Sequence, residues 1–272
     1  MRSQEEHIVK CMSASDKEVA VVPNSFWNEM FLCCFEGRGW ESKDDLTNRA
    51  AACAFYLAGN SGSCMGHWYC NTSKRNMVLA GQIQFLVGLP GQERGWVSGA
   101  HTGLRAWMSK HSGTVEEHLY RMHYQINTTK TISGRQSMKV SKAMVRVVSI
   151  TRETPLARRA LAMVGAWCVQ NPLDSLEPLL SQLRTNLYGV RRGGKYALAP
   201  MTRMRPNQHG QVVEMMYRGL QYADVSKALK MVIVREACGY MDPANYTLKT
   251  VRRWFAAVAR DVATREEALA LA

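Results

Sequence analysis

Apolar residues recur at steps of three and four along most of this chain, and strict alternation of apolar with polar positions is scarce. That period belongs to amphipathic helices rather than half-buried strands. It predicts helices over 4–13, 25–35, 43–58, 73–88, 102–110, 115–126, 136–150, 155–169, 173–187, 210–237 and 244–270. Ser42-Lys43-Asp44-Asp45 and Thr114-Val115-Glu116-Glu117 read as capping boxes ahead of apolar runs. Thr154-Pro155 and Asp242-Pro243 each set a capping oxygen before a proline at the first helical position. Ala, Met and Leu, all strong helix formers, fill the intervals. The expected fold class is all-α, a multi-helix globular protein of two helical subdomains. They divide near residue 112 into a cysteine-rich 1–112 and a basic 113–272.

Two segments break the pattern. Gly88-Leu89-Pro90-Gly91-Gln92-Glu93-Arg94-Gly95 is a turn-rich connection, and a longer Arg/Gly loop runs from Gly189 past Pro200 to Pro206. Two of the predicted helices carry more than packing. In 136–150 and the residue before it, Arg135, Lys139, Lys142 and Arg146 are four, three and four apart, which on a helix is one face. Such a row is roughly 16 Å long, with no acidic partner one turn away, and it should meet several backbone phosphates. In the last helix, Val251, Phe255, Val258 and Val262 form an apolar seam continuing Leu248. A seam of this kind packs on its own domain or docks on a neighbouring copy, and it is the candidate self-assembly surface.

Charge sharpens the picture. Of the chain's net +13, the stretch from His118 to Val213 holds +12, from fifteen Lys and Arg residues against Glu153, Asp174 and Glu177. A solvated surface usually mixes both signs, so the segregation points to a polyanion. Arg191, Arg192 and Lys195, with Tyr188 and Tyr196 beside them, interleave cations and rings as single-stranded nucleic acid binders do. Anionic lipid headgroups attract the same clusters, so RNA or ribonucleoprotein and an anionic membrane surface both stand as expected partners.

The candidate chemistry is thin. Cys64, His67 and Cys70 have C-x2-H-x2-C spacing, which His101 or Cys53 would complete to a zinc site. Buried free thiols are the alternative, and no metal or cofactor is expected. Gly62-Ser63-Cys64-Met65-Gly66 fits the cysteine form of a nucleophile elbow, but a helix is predicted where that elbow needs a strand. Phosphate-loop, dinucleotide and metalloprotease motifs are absent from the sequence. A binding protein is expected, not an enzyme. The charged start of the chain and the shortness of its best apolar run, Met77 to Leu89, predict a protein that stays inside the cell.

Ala58-Gly59-Asn60-Ser61-Gly62-Ser63-Cys64-Met65-Gly66, followed by Tyr69, resembles a segment of the middle domain of orthomyxovirus matrix proteins, the tick-borne thogotovirus-like members in particular. Gly239-Tyr240-Met241-Asp242-Pro243 with Tyr246, Leu248, Lys249 and Arg252 is similar to a C-terminal stretch of orthobunyavirus nucleoproteins. The first resemblance implies an all-helical protein forming a layer that touches lipid on one side and ribonucleoprotein on the other. The expectation is therefore a self-assembling, homo-oligomeric viral structural protein of matrix type. The alternative is a nucleocapsid protein enclosing single-stranded RNA.

Overall fold

The computed structural model describes residues 21–36, 45–69, 78–98, 102–128, 144–170, 198, 201–206, 212–217, 219–236 and 242–270. Its centre is α2 (Asp45–Ser61), preceded by α1 (Ser25–Met30) and a π-helical turn, Phe31–Phe35. Every residue from Ala50 to Ala58 is inaccessible to solvent. A helix apolar on all sides must be surrounded on all sides, and the alanines let its neighbours come close. One of those neighbours is Trp27: a Cβ on Gly59 would lie 2.2 Å from its ring, so only glycine fits there. Gly62, in the left-handed region at φ 61°, ends the helix against the Phe255 ring.

The all-α expectation is overturned. β1 (Ile83–Val87), β2 (Gly95–Ser98), β3 (Leu119–Thr128) and β4 (Met144–Thr151) form an antiparallel sheet in the order β2-β1-β3-β4. Together with the helices this makes the architecture mixed α/β. A second ribbon pairs β5 (Met201–Pro206) with β6 (Val212–Tyr217). The helices predicted over 73–88, 115–126, 136–150 and 210–237 thus give way wholly or in part to strands. The physical reason lies in side-chain shape. Val145, Val147, Val148, Ile150 and Thr151 crowd a helix's preceding turn at χ1 and pack readily on a pleated surface. The Thr114 capping box is present, its hydroxyl accepting from Glu117 N at 3.4 Å and Glu117 Oε2 accepting from Thr114 N at 2.7 Å. It starts a helix of one turn, α4 (Val115–His118), before β3 takes over.

The sheet's inner face carries Ile83, Phe85, Val87, Met122, Tyr124, Ile126, Val148 and Ile150, all buried. It packs on α5 (Pro155–Gln170), which Thr154 caps by accepting from Ala157 N at 3.1 Å. Each such side chain contributes roughly 1.5–3 kcal/mol by leaving water. The sheet joins strands from either side of residue 112, and α2 packs on α5 across the same point, so the expected 1–112 and 113–272 units share one core. Beyond α3 (Thr102–Met108), the remaining helices are α6 (Tyr222–Glu236) and α7 (Leu248–Ala270). The latter is anchored at its start: the Trp254 ring lies 4.7 Å from that of Trp27, and its Nε1 donates to Asn24 Oδ1 at 3.0 Å. Among the described residues no helix is long and apolar enough to cross a membrane.

Candidate nucleic-acid interface

Alternation along four strands leaves the sheet a second face, and its make-up is unlike the first. Gln84, Trp96, Ser98, Arg121, Gln125, Val147 and Ser149 are exposed there, with His123 and Leu86 partly covered. Cross-strand register sets Trp96 opposite Leu86, Leu86 opposite Arg121, and Arg121 opposite Thr151. Trp96 keeps 46% of its surface in solvent, and its ring centroid is 4.4 Å from the His123 imidazole, tilted by 35°. Partial burial, then the Arg121 guanidinium, holds the His123 pKa below its ordinary value, so the ring is neutral at neutral pH.

At the end of this face β3 contains a bulge. Val87 pairs with Leu119 and Leu86 with Arg121, leaving Tyr120 as the extra residue. Two guanidiniums lie on its ring, Arg94 at 3.8 Å and Arg152 at 4.7 Å from the centroid. These are cation–π distances. Arg152 Nη1 is buried and has no hydrogen-bond partner among the described residues. None of the four strands contains an Asp or a Glu. The exposed Trp96, the exposed Arg121 and the absence of carboxylates from the four strands suit this face to an anion that also has a flat apolar surface.

The predicted sites are distributed differently. Arg135, Lys139 and Lys142 lie outside the described residues, as do Arg191, Arg192 and Lys195. Arg146 is on β4, paired with Ile126, so at its position a strand replaces the predicted helix 136–150. The α7 seam divides: Val251 is fully buried, Phe255 is half-buried against Gly62, and Val258 is exposed, with Val262 further along the helix. A separate open groove of about 810 Å³ runs along α6, lined by Tyr222, Lys227, Lys230 and Val234 among others.

The cysteine chemistry gains no support from geometry. Cys64 is exposed at the start of a 3-10 turn, Met65–His67, preceded by α2 rather than a strand, so the elbow geometry is not formed. Cys70 lies outside the described residues. Cys53, the possible fourth zinc ligand, is buried in α2 beside Cys168, and burial, reinforced by that second thiol, raises its pKa well above the ordinary value. Burial likewise pushes Cys33 up to about 11. These thiols are core residues. Among the described residues no three His, Cys, Asp or Glu side chains come together as a metal site would require.

The sheet face escaped sequence reasoning because its residues are short runs on four strands that meet only in the fold. The one local signal was Arg121, in a segment poor in acids and already counted in the basic segment. Comparison of the chain with family models, with characterised proteins and with solved structures gives no match.

Proposed function

We propose that this protein is a non-enzymatic structural protein that binds single-stranded RNA through a basic surface and associates with its own kind, of nucleocapsid rather than matrix type. The observation that carries the reading is the outer face of the four-stranded sheet, where Arg121 and the flanking Arg94 and Arg152 stand beside Trp96, His123 and Tyr120 without a carboxylate on any strand. Phosphates supply affinity to such a surface through released counterions, and rings supply sequence-tolerant contacts to bases. An anionic membrane interface also takes cations and tryptophan, so the preference for RNA rests on the His123 ring stacked on Trp96, an arrangement that a nucleobase extends. The mixed α/β fold also departs from the all-helical architecture that the matrix resemblance implies. Arg135, Lys139 and Lys142, with Arg191, Arg192 and Lys195, extend the cationic surface in this proposal, whereas Arg146 shares the register of Ile126 on the inner row and is left out of it. The part of α7 beyond Phe255 is its self-assembly element, because Val258 is exposed on the described part of the helix.

The test is binding of nuclease-treated full-length protein to a labelled single-stranded oligoribonucleotide, beside cosedimentation with phosphatidylserine vesicles. RNA binding is expected, with log K falling linearly in log salt by about 0.7 for each phosphate neutralised. Absence of RNA binding at low salt overturns the proposal, and binding to vesicles alone restores the matrix reading.

A further inference from the structure

We infer that Trp96 and His123 form a stacking site for one unpaired base, and that Arg94, Arg121 and Arg152 hold the phosphates on either side of it. This rests on the polyanion reading above and deepens it, since it names the atoms of the ligand that each group meets. An unpaired base with its phosphates is the ligand class, from single-stranded RNA or DNA.

Several independent observations converge on it. A tryptophan nearly half exposed on the outward side of a strand forgoes much of the gain its burial would bring, and nothing described covers it. Its neighbour across the sheet is another flat ring, 4.4 Å away and tilted by 35°, so the two already stack on each other and a base on the exposed tryptophan would lengthen that stack. The lowered His123 pKa keeps the stack uncharged, which suits a nucleobase better than a second cation. Phosphate contacts come from the other end of the same face. Trp96 and Arg121 flank Leu86 in register, two strand spacings or on the order of 10 Å apart. That separation lets a base rest at one end while its backbone reaches the other.

The arginines there are held in place by a ring. Tyr120 carries both Arg94 and Arg152 on its ring, which fixes guanidiniums without consuming their charge. Guanidinium is also the cation whose planar fork matches phosphate oxygens in pairs.

The experiment measures fluorescence anisotropy of labelled oligouridylate, oligothymidylate and inorganic polyphosphate with wild-type protein, Trp96→Ala, Trp96→Phe and the Arg94→Ala/Arg152→Ala double variant. Trp96→Ala should weaken both oligonucleotides about 5- to 100-fold, one stacked base, without changing the salt slope. It should leave polyphosphate binding intact, and Trp96→Phe should recover most of the loss. The arginine double variant should weaken all three probes and flatten the salt dependence. Unchanged circular dichroism keeps these effects separate from folding. If wild-type protein binds the oligonucleotides and Trp96→Ala binds them equally well, the stacking site is overturned while the general reading stands. If wild-type protein binds neither oligonucleotides nor polyphosphate at low salt, the general reading falls first and this one with it.

Discussion

The two faces of the four-stranded sheet share every backbone atom and almost nothing else. On β3, Met122, Tyr124 and Ile126 point into the core and are at most 3% exposed, whereas Arg121, His123 and Gln125 alternate with them toward solvent. The inner residues are explained by volume: each fills space against α5 or α2 and contributes by leaving water. The outer ones are not. A solvated strand face needs polar residues of either sign, yet this one has cations, rings and no carboxylate. When packing accounts for one side of a strand and leaves the composition of the other unexplained, the unexplained side is where function is sought.

The widest separation between the faces should appear in stability. Phe85→Ala, on the inner face, should cost about 3–5 kcal/mol in chemical denaturation, because its site is fully enclosed. Trp96→Ala, one strand away and outward, should stay within about 0.5 kcal/mol of wild type. Equal losses from the two would erase the distinction on which the interface rests.

A second pair carries the same logic to α7. Phe255 lies against Gly62 and should act as a core residue, so Phe255→Asp should lose roughly 2–4 kcal/mol and promote aggregation. Val258, three residues on and 37% exposed, should behave as a surface residue. Val258→Asp should remain folded and shift light scattering toward smaller species. A folded Val258→Asp protein that assembles as wild type does would remove this helix from the interface.

The smallest effect concerns pH. His123 has a folded pKa below the 6.5 of a free imidazole, so below about pH 6.5 the unfolded chain binds the proton more readily than the folded one. Stability supplied by the neutral ring should therefore be present at higher pH and decline as pH falls through that range. Melting temperatures at pH 7.5 and 5.5 should differ slightly more for wild type than for His123→Gln. A larger difference in the variant would contradict the partial burial of His123 beside Arg121.

Much of the helical half of the fold was legible in sequence. The start signals at Thr114 and Thr154 are capped as their spacing requires, and α1, α2, α3, α5 and α7 lie within or close to predicted helices. At Asp242 the side chain caps a 3-10 turn instead, and the long helix begins at Leu248. The sheet was not legible because three- and four-residue spacing also arises by chance in a strand whose alternation is broken. In β3 the break is the bulge, which puts both Tyr120 and Arg121 between the buried Leu119 and Met122. The candidate interface was legible only as charge. Trp96 gave no sign of its role, since the His123 ring against it is 27 residues away along the chain.

That bulge has an evolutionary consequence. With Tyr120 removed, Leu119 and Arg121 become neighbours, and the sequence Leu119-Arg121-Met122-His123-Tyr124 alternates inward and outward without interruption, in the register that Val87 and Leu86 already impose. The core would not register the loss, while Arg94 and Arg152 would lose the ring on which they rest. A single in-frame codon could therefore have added this part of the surface to an existing sheet, and deleting it is the smallest genetic step that would take it away.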